Sequence, residues 1–211
     1  SQNYHDVEII VIDDGSTDKT AAIISALAKK DRRIIAATNQ ANLGFVKTLN
    51  KGAAIARGKY IARLDDDDYW SDAEKIEKQV AFLENNPGYV LAGGGVIIKE
   101  ENGKELIRYL FPETDKEIRK ALLVDNLFSH SSVIFLKSAF EKASGYDEKF
   151  GFFADRDLWL KLGTIGKFYN FPEYFVCYTD KEEKNKNYSS RNDLIRRKLK
   201  LNIELRAGHR R

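Results

Sequence analysis

The chain has 211 residues, 43% of them hydrophobic, with 35 Lys or Arg against 32 Asp or Glu for a net charge of +3. That hydrophobic content excludes a disordered chain, and the length accommodates one sizeable α/β domain or a domain with an appendage. A single cysteine, Cys177, excludes an intramolecular disulfide and a thiolate metal cluster, and no apolar run reaches the roughly 18 residues of a membrane-spanning helix.

The β-branched run at residues 7–12 reads as a buried strand, followed by the turn Asp13-Asp14-Gly15-Ser16-Thr17-Asp18. Gly15 permits a sharp turn, and Ser16 or Thr17 is placed to cap a helix over residues 18–30 whose apolar stripe is Ile23, Ile24, Leu27 and Ala28. A short strand at 33–37, a turn at 39–42 and a helix at 44–57 come next, then a strand at 59–64 that runs into four aspartates, Asp65 to Asp68. A helix at 73–84 stops before Asn86-Pro87-Gly88. The strand at 89–98 contains Gly93-Gly94-Gly95, which predicts a bend or the close approach of another segment. Asn102-Gly103 makes a hairpin-like turn, and residues 115–124 read as a helix, 132–136 as a strand, 155–162 as a helix and 174–178 as a strand that packs Cys177. This alternation predicts an α/β fold with a mostly parallel central sheet flanked by helices, its first half a Rossmann-like nucleotide-binding unit.

Carboxylates at the carboxyl ends of two predicted strands lie on the edge where open α/β sheets bind ligands. A run of like charges resists burial unless a cation or hydrogen-bond donors compensate it, and Mg2+ or Mn2+ suits oxygen ligands. A solvated acidic turn capping the next helix is the competing reading. A third acidic site, Asp155-Arg156-Asp157, follows a loop rich in aromatics and glycine and opens a helix, where the helix dipole alone also favours an aspartate.

Beyond residue 180 the balance turns basic: residues 191–211 hold eight Arg or Lys against Asp193 and Glu204, with leucine and isoleucine interspersed. A basic amphipathic helix on an anionic membrane surface and a solvated helix packed on the domain both fit this pattern. The segment is short and carries no nucleic-acid motif, so nucleic acid is not an expected partner.

The strings Glu8-Ile9-Ile10-Val11-Ile12-Asp13-Asp14-Gly15-Ser16-Thr17-Asp18, Asn42-Leu43-Gly44, Arg63-Leu64-Asp65-Asp66-Asp67-Asp68, Gly145-Tyr146-Asp147-Glu148 and Asp155-Arg156-Asp157-Leu158-Trp159-Leu160 occur in an order that resembles the family 2 glycosyltransferases of the GT-A fold. The resemblance covers roughly residues 7–165. It implies an inverting transfer of a sugar from a nucleotide-diphosphate sugar, a UDP-sugar first, to a hydroxyl of a saccharide or lipid-linked saccharide. By resemblance Asp13 and Asp14 contact the nucleotide. Asp65, Asp66 and Asp67 occupy the DxD position, with Asp67 the direct Mn2+ or Mg2+ ligand and Asp65 facing ribose or metal. Asp155 stands at the position of the general base, where the family usually has Glu-Asp and this chain has Ala154-Asp155, so Asp157 competes for that role. Lys47 is placed to reach the nucleotide, while Arg57 and Arg63 read as structural or solvated. Two readings of His130 stand: a loop histidine satisfied by backbone, or a contact to phosphate or metal.

The family's first strand and its Pro-x-Tyr-Asn-like loop have no counterpart in the sequence, so the resemblance implies an N-terminally incomplete catalytic domain at residues 1–180, followed by a basic extension at 181–211. It also implies envelope or capsule polysaccharide synthesis in the cytoplasm, at the inner face of the membrane. Two other classes remain open on the residues alone. A metal-dependent nucleotidyltransferase would need a glycine-rich basic loop that is not seen, and a non-catalytic Mg-binding α/β module has no use for the third acidic site.

Overall fold

A computed structural model describes residues 2–180. Its elements are β1 (Ile9–Asp13), α1 (Thr20–Lys30), β2 (Ile34–Thr38), α2 (Phe45–Ile55), β3 (Tyr60–Ala62), β4 (Asp68–Trp70), α3 (Lys75–Asn85), β5 (Tyr89–Glu100), β6 (Glu105–Tyr109), α4 (Asp115–Ala121), β7 (Ile134–Leu136), α5 (Lys137–Lys142), α6 (Ala154–Gly163) and β8 (Lys167–Asp180). Two 3-10 turns, His130–Ser132 and Glu148–Phe153, precede β7 and α6.

The sheet corrects the expectation of a mostly parallel, Rossmann-like core. β1 and β2 form a parallel pair of their own, in register from Ile9 with Ile34 to Asp13 with Thr38. The larger sheet has six strands in the order β3-β7-β5-β8-β4, with β6 on β5. Within it β3 with β7, β5 with β7, β5 with β6 and β4 with β8 are antiparallel, and only β5 with β8 is parallel. The sheet is therefore mixed and mostly antiparallel. Strand direction depends on how the chain returns: β6 folds straight back on β5 through Asn102-Gly103, and β7 enters reversed from the turn at residues 130–132.

β5 is the centre of the molecule because its residues are apolar on both faces, with Leu91, Ala92 and Val96 fully buried. Its three glycines mark the close approach their sequence predicts: a Cβ on Gly93 would lie 2.3 Å from Asn170 Oδ1, and one on Gly94 2.3 Å from the Phe175 ring. One face of the sheet carries the main core, where Ile118, Phe135, Leu158, Trp159, Leu162 and Phe168 pack beneath α4 and α6. Leu83 of α3 meets Ala92 and Ile134 in a smaller cluster. The stripe on α1 has helical spacing but is not covered, leaving Ile23 57% and Leu27 49% exposed. Asp18, rather than Ser16 or Thr17, accepts the Thr20 N–H at the start of that helix.

Below the aspartate turn a lysine is fully buried. Lys75 opens α3, donates to Gln79 Oε1 at 2.8 Å and sits 4.4 Å over the Trp70 ring, while the Gln79 amide donates to the Ala92 and Ser132 carbonyls. Burial lowers the Lys75 ammonium from 10.5 to about 7, against the pull of the negative Trp70 face. Between about pH 7 and pH 10.5 the unfolded chain therefore holds a proton that the folded one lacks, and stability rises with pH across that window. Urea titrations across the window should show the native protein gaining on the order of 5 kcal/mol relative to Lys75→Met, whose own profile lacks this rise. Parallel profiles for the two proteins would show that Lys75 stays charged in the fold.

Among the described residues no helix is long and apolar enough to cross a membrane. The basic segment 191–211, read as a membrane contact, lies outside the described residues.

Candidate active site

β1 delivers two carboxylates with different surroundings. Asp13 is buried; its Oδ1 accepts the Ser16 N–H at 3.0 Å, and its Oδ2 has no hydrogen-bond partner among the described residues. Gly15 adopts φ 76°, and a Cβ there would fall 2.7 Å from the backbone of Ala41 and Asn42, so glycine lets this turn press against the turn at residues 39–44. Asp14 fastens the two together, accepting from Asn39 Nδ2 at 2.7 Å and from the backbone N–H groups of Leu43 and Gly44 at 2.9 Å. The Asn39 amide, then the Leu43 N–H, hold its carboxyl below the usual range. Asp14 is thus engaged with its own loop. Lys47, on α2, pairs loosely with Glu148 at 3.7 Å, each side chain about half exposed.

The aspartate run follows β3 and closes around Ser131. Asp66 and Asp67 are exposed at the turn, while Asp65 and Asp68 point inward and are partly buried. Ser131 Oγ lies 3.1 Å from Asp65 Oδ2 and 2.5 Å from Asp68 Oδ2, and accepts the Asp65 N–H at 3.0 Å. One hydroxyl proton cannot serve two carboxylates at once. Burial, together with the charges of Asp65 and Asp67 and against the Ser131 hydrogen bond, pushes the Asp68 carboxyl up to about 7. The Trp70 indole donates to the Ser131 carbonyl at 2.8 Å and fixes this turn to β4. Arg63, 18% exposed, ion-pairs with Asp65 and lies 5.7 Å over the Phe45 ring.

A buried neutral pair connects this turn to the far side of the site. His130 Nε2 and the Tyr146 hydroxyl are 2.8 Å apart, and Phe45 and Trp159 pack edge-on to the imidazole. Burial, with Arg63 nearby, keeps His130 well below its ordinary value, and burial pushes Tyr146 up. The charges of Asp155 and Asp65 add to that rise, and Arg63 opposes it. Asn50 of α2 holds the Tyr146 backbone with two hydrogen bonds, donating to its carbonyl at 2.8 Å and accepting its N–H at 3.0 Å. Asp155, in the first turn of α6, accepts from Asn126 Nδ2 at 2.7 Å. Asp157 is tied to Lys161 at 2.6 Å.

A model of the family described as glycosyl transferase family 2 matches residues 1–144. The chain belongs to that family. An uncharacterized glycosyltransferase of Haemophilus influenzae is 32% identical over 187 residues, 84% of this chain and 58% of the relative. The crystal structure of S. aureus TarS in complex with UDP superposes with a TM-score of 0.67 at 21% identity, over 85% of this chain and 53% of that one. The mannosyltransferase PcManGT from Pyrobaculum calidifontis, in complex with GDP-Man and Mn2+, gives 0.65 at 17% identity over 90% and 52%. The chain spans about three fifths of the length of the curated relatives it matches.

In this family 2 glycosyl transferase the expected residues form three groups: Asp13 and Asp14 with the turn at 39–44, Asp65 on Ser131, and Asp155 on Asn126, while Asp66 and Asp67 are exposed and Asp68, not among the expected site residues, shares Ser131 with Asp65. Arg63 and Phe45 link the aspartate run to the buried pair of His130 and Tyr146. His130 is satisfied by a side chain rather than by backbone. Arg63, read as structural or solvated, is an ion-pair partner of the aspartate run, and Arg57 is structural, paired with Glu8 at 2.9 Å. Ser131, Asn126 and Tyr146 were not singled out as partners by sequence. The only signal was their place in polar strings, Ser129-His130-Ser131-Ser132 for the first.

Proposed function

We propose that residues 1–180 carry the catalytic unit of an inverting, metal-assisted glycosyltransferase that moves a sugar from a UDP-sugar to a hydroxyl of a saccharide or lipid-linked saccharide, working at the cytoplasmic face of a membrane. The observation that carries this reading is the knot of Asp65, Asp68 and Ser131, where two carboxylates face a single hydroxyl. The donor set fits a hard cation. Mg2+ and Mn2+ take one or two carboxylates and complete their shell with substrate phosphates, and among the described residues no third ligand stands ready. Asp67 and Asp65 would hold the ion, which when bound offsets charge on the departing diphosphate.

The remaining parts are supplied by the chain. The unpartnered Asp13 Oδ2 is a buried acceptor that an imide N–H of uracil would satisfy. Asp14 positions the loop at 39–44 beside it. Asp155 would take the proton of the acceptor hydroxyl as that oxygen attacks the anomeric carbon on the face opposite the diphosphate, and Asn126 keeps the carboxylate aimed. The complexes of TarS with UDP and of PcManGT with GDP-Man and Mn2+ support this class of donor.

Thermal unfolding with UDP, GDP, CDP and dTDP, each with and without Mn2+, tests the reading. One diphosphate at a hundredfold excess over its dissociation constant should add about 2.7 kcal/mol, a rise of several degrees, only with metal, and the rise should vanish in Asp67→Ala. A folded protein that none of the four stabilises would sink it. Release of pyrophosphate rather than a nucleoside diphosphate on turnover would make the enzyme a nucleotidyltransferase.

A further inference from the structure

Two carbonyls of the turn at residues 130–132 are held by side chains that reach in from other elements. The Trp70 indole donates to the Ser131 carbonyl at 2.8 Å, and the Gln79 amide donates to the Ser132 carbonyl and to the Ala92 carbonyl of β5, each at 2.9 Å. Lys75 ties the two holders together, donating to Gln79 Oε1 at 2.8 Å and standing 4.4 Å over the Trp70 ring. Only the oxygen of an amide accepts, so this donor fixes which end of Gln79 faces Lys75 and turns both amide N–H groups onto the carbonyls. Lys75, Gln79, Ser131 and Ser132 are all fully buried. Well-packed apolar side chains of the same volume would stabilise a core as much. What a fully satisfied polar cluster adds is one fixed arrangement.

The part of the site that this arrangement fixes is the aspartate turn. Ser131 Oγ accepts the Asp65 N–H at 3.0 Å and meets carboxylates at both ends of the run, Asp65 Oδ2 at 3.1 Å and Asp68 Oδ2 at 2.5 Å. Asp66 and Asp67 therefore hang between two anchors on one hydroxyl. We infer that Lys75, Gln79 and Trp70 are positioning residues for sugar transfer: they pin the backbone of Ser131 and Ser132, and through the Ser131 hydroxyl they set where the carboxylates of Asp65 and Asp67 stand. The three act from behind the turn rather than by touching substrate. The inference rests on the transferase reading above, in which Asp67 and Asp65 hold the metal.

The full chain is compared with three variants. Gln79→Met keeps the volume and removes both amide donors, while Trp70→Phe keeps a ring beside Lys75 and removes the indole donor. Ile118→Val trims a fully buried side chain of α4 in the main core and gauges what a general loss of stability does. Without metal or nucleotide, hydrogen exchange at residues 63–68 should speed about tenfold in the first two variants relative to Ile118→Val. At fixed UDP, the Mn2+ concentration that gives half of the thermal shift should rise about 10- to 100-fold in those two and stay native in Ile118→Val. Exchange at 63–68 that matches Ile118→Val in both, or a native Mn2+ requirement in both, overturns the inference and leaves a cluster that serves stability alone. Should Gln79→Met fail to fold, Trp70→Phe decides by the same two readings. If the native chain shows no Mn2+-dependent shift, the metal reading falls, and exchange at 63–68 still supports or overturns the pinning of the turn.

Discussion

Replacing Asp155 by asparagine should slow sugar transfer by about two to four orders of magnitude while leaving stabilisation by the nucleoside diphosphate and metal in place. The substitution keeps the shape of the side chain and an oxygen for the Asn126 amide, which now donates to Asp155 Oδ2 at 2.7 Å, but removes the capacity to accept a proton. Asp157→Asn is the matched control. Asp157 is engaged by Lys161 at 2.6 Å with its side chain 13% exposed, so its loss should lower stability modestly and transfer by less than about tenfold. The two variants are compared by the rate of nucleoside diphosphate release that depends on acceptor, beside the thermal shift with donor-site ligands. Transfer that survives in Asp155→Asn, or a larger loss in Asp157→Asn, would move the base to Asp157.

The second large effect is on stability. Gly94→Ala should destabilise the fold by about 3 kcal/mol, enough to unfold a marginal domain. The new Cβ would lie 2.3, 2.8 and 3.0 Å from three atoms of the Phe175 ring. That ring is fully buried and packed at 5.3 Å against Phe171, so it cannot swing away. The strand cannot shift either, because β5 is hydrogen-bonded on both sides, to β7 and β8. Gly88, at the entry to the same strand, has nothing within 4 Å of its Cβ position, and Gly88→Ala should change stability by no more than about 0.5 kcal/mol, in the stabilising direction. Urea midpoints at unchanged slope separate the two, and a Gly94→Ala protein as stable as the native one would mean that β5 and β8 are less closely set than described.

What the sequence disclosed and what it hid divide along the reach of the interactions. The apolar run before Asp13, the turn glycine and the helical stripes are local patterns, and β1, α2, α3 and α6 appear close to where those patterns put them. Strand direction is not local. The alternation of strands and helices favoured a parallel sheet, yet β5 pairs parallel with β8 and antiparallel with β6 and β7. β8 was legible only from residue 174 because Pro172 argues against a central strand; the ladder passes over it with a register shift, Gly94 opposite Phe171 and Gly95 opposite Tyr174. The three-residue β4 is held by β8 and by the Trp70 contact to Ser131, neither of which has a local signature. The same holds for the site. The acidic runs are plain in the sequence, whereas the partners that orient them lie far off, Ser131 66 positions from Asp65 and Asn126 29 from Asp155.

The two hydrogen bonds between Asn50 and the Tyr146 backbone span 96 positions, and they hold the segment before Asp155 against α2. Neither the β4–β8 nor the β5–β8 pairing passes through the segment that these bonds hold. Local opening of residues 145–153 is therefore expected to part the two sides of the pocket while the sheet stays formed, leaving a molecule compact and correctly paired yet without a working centre.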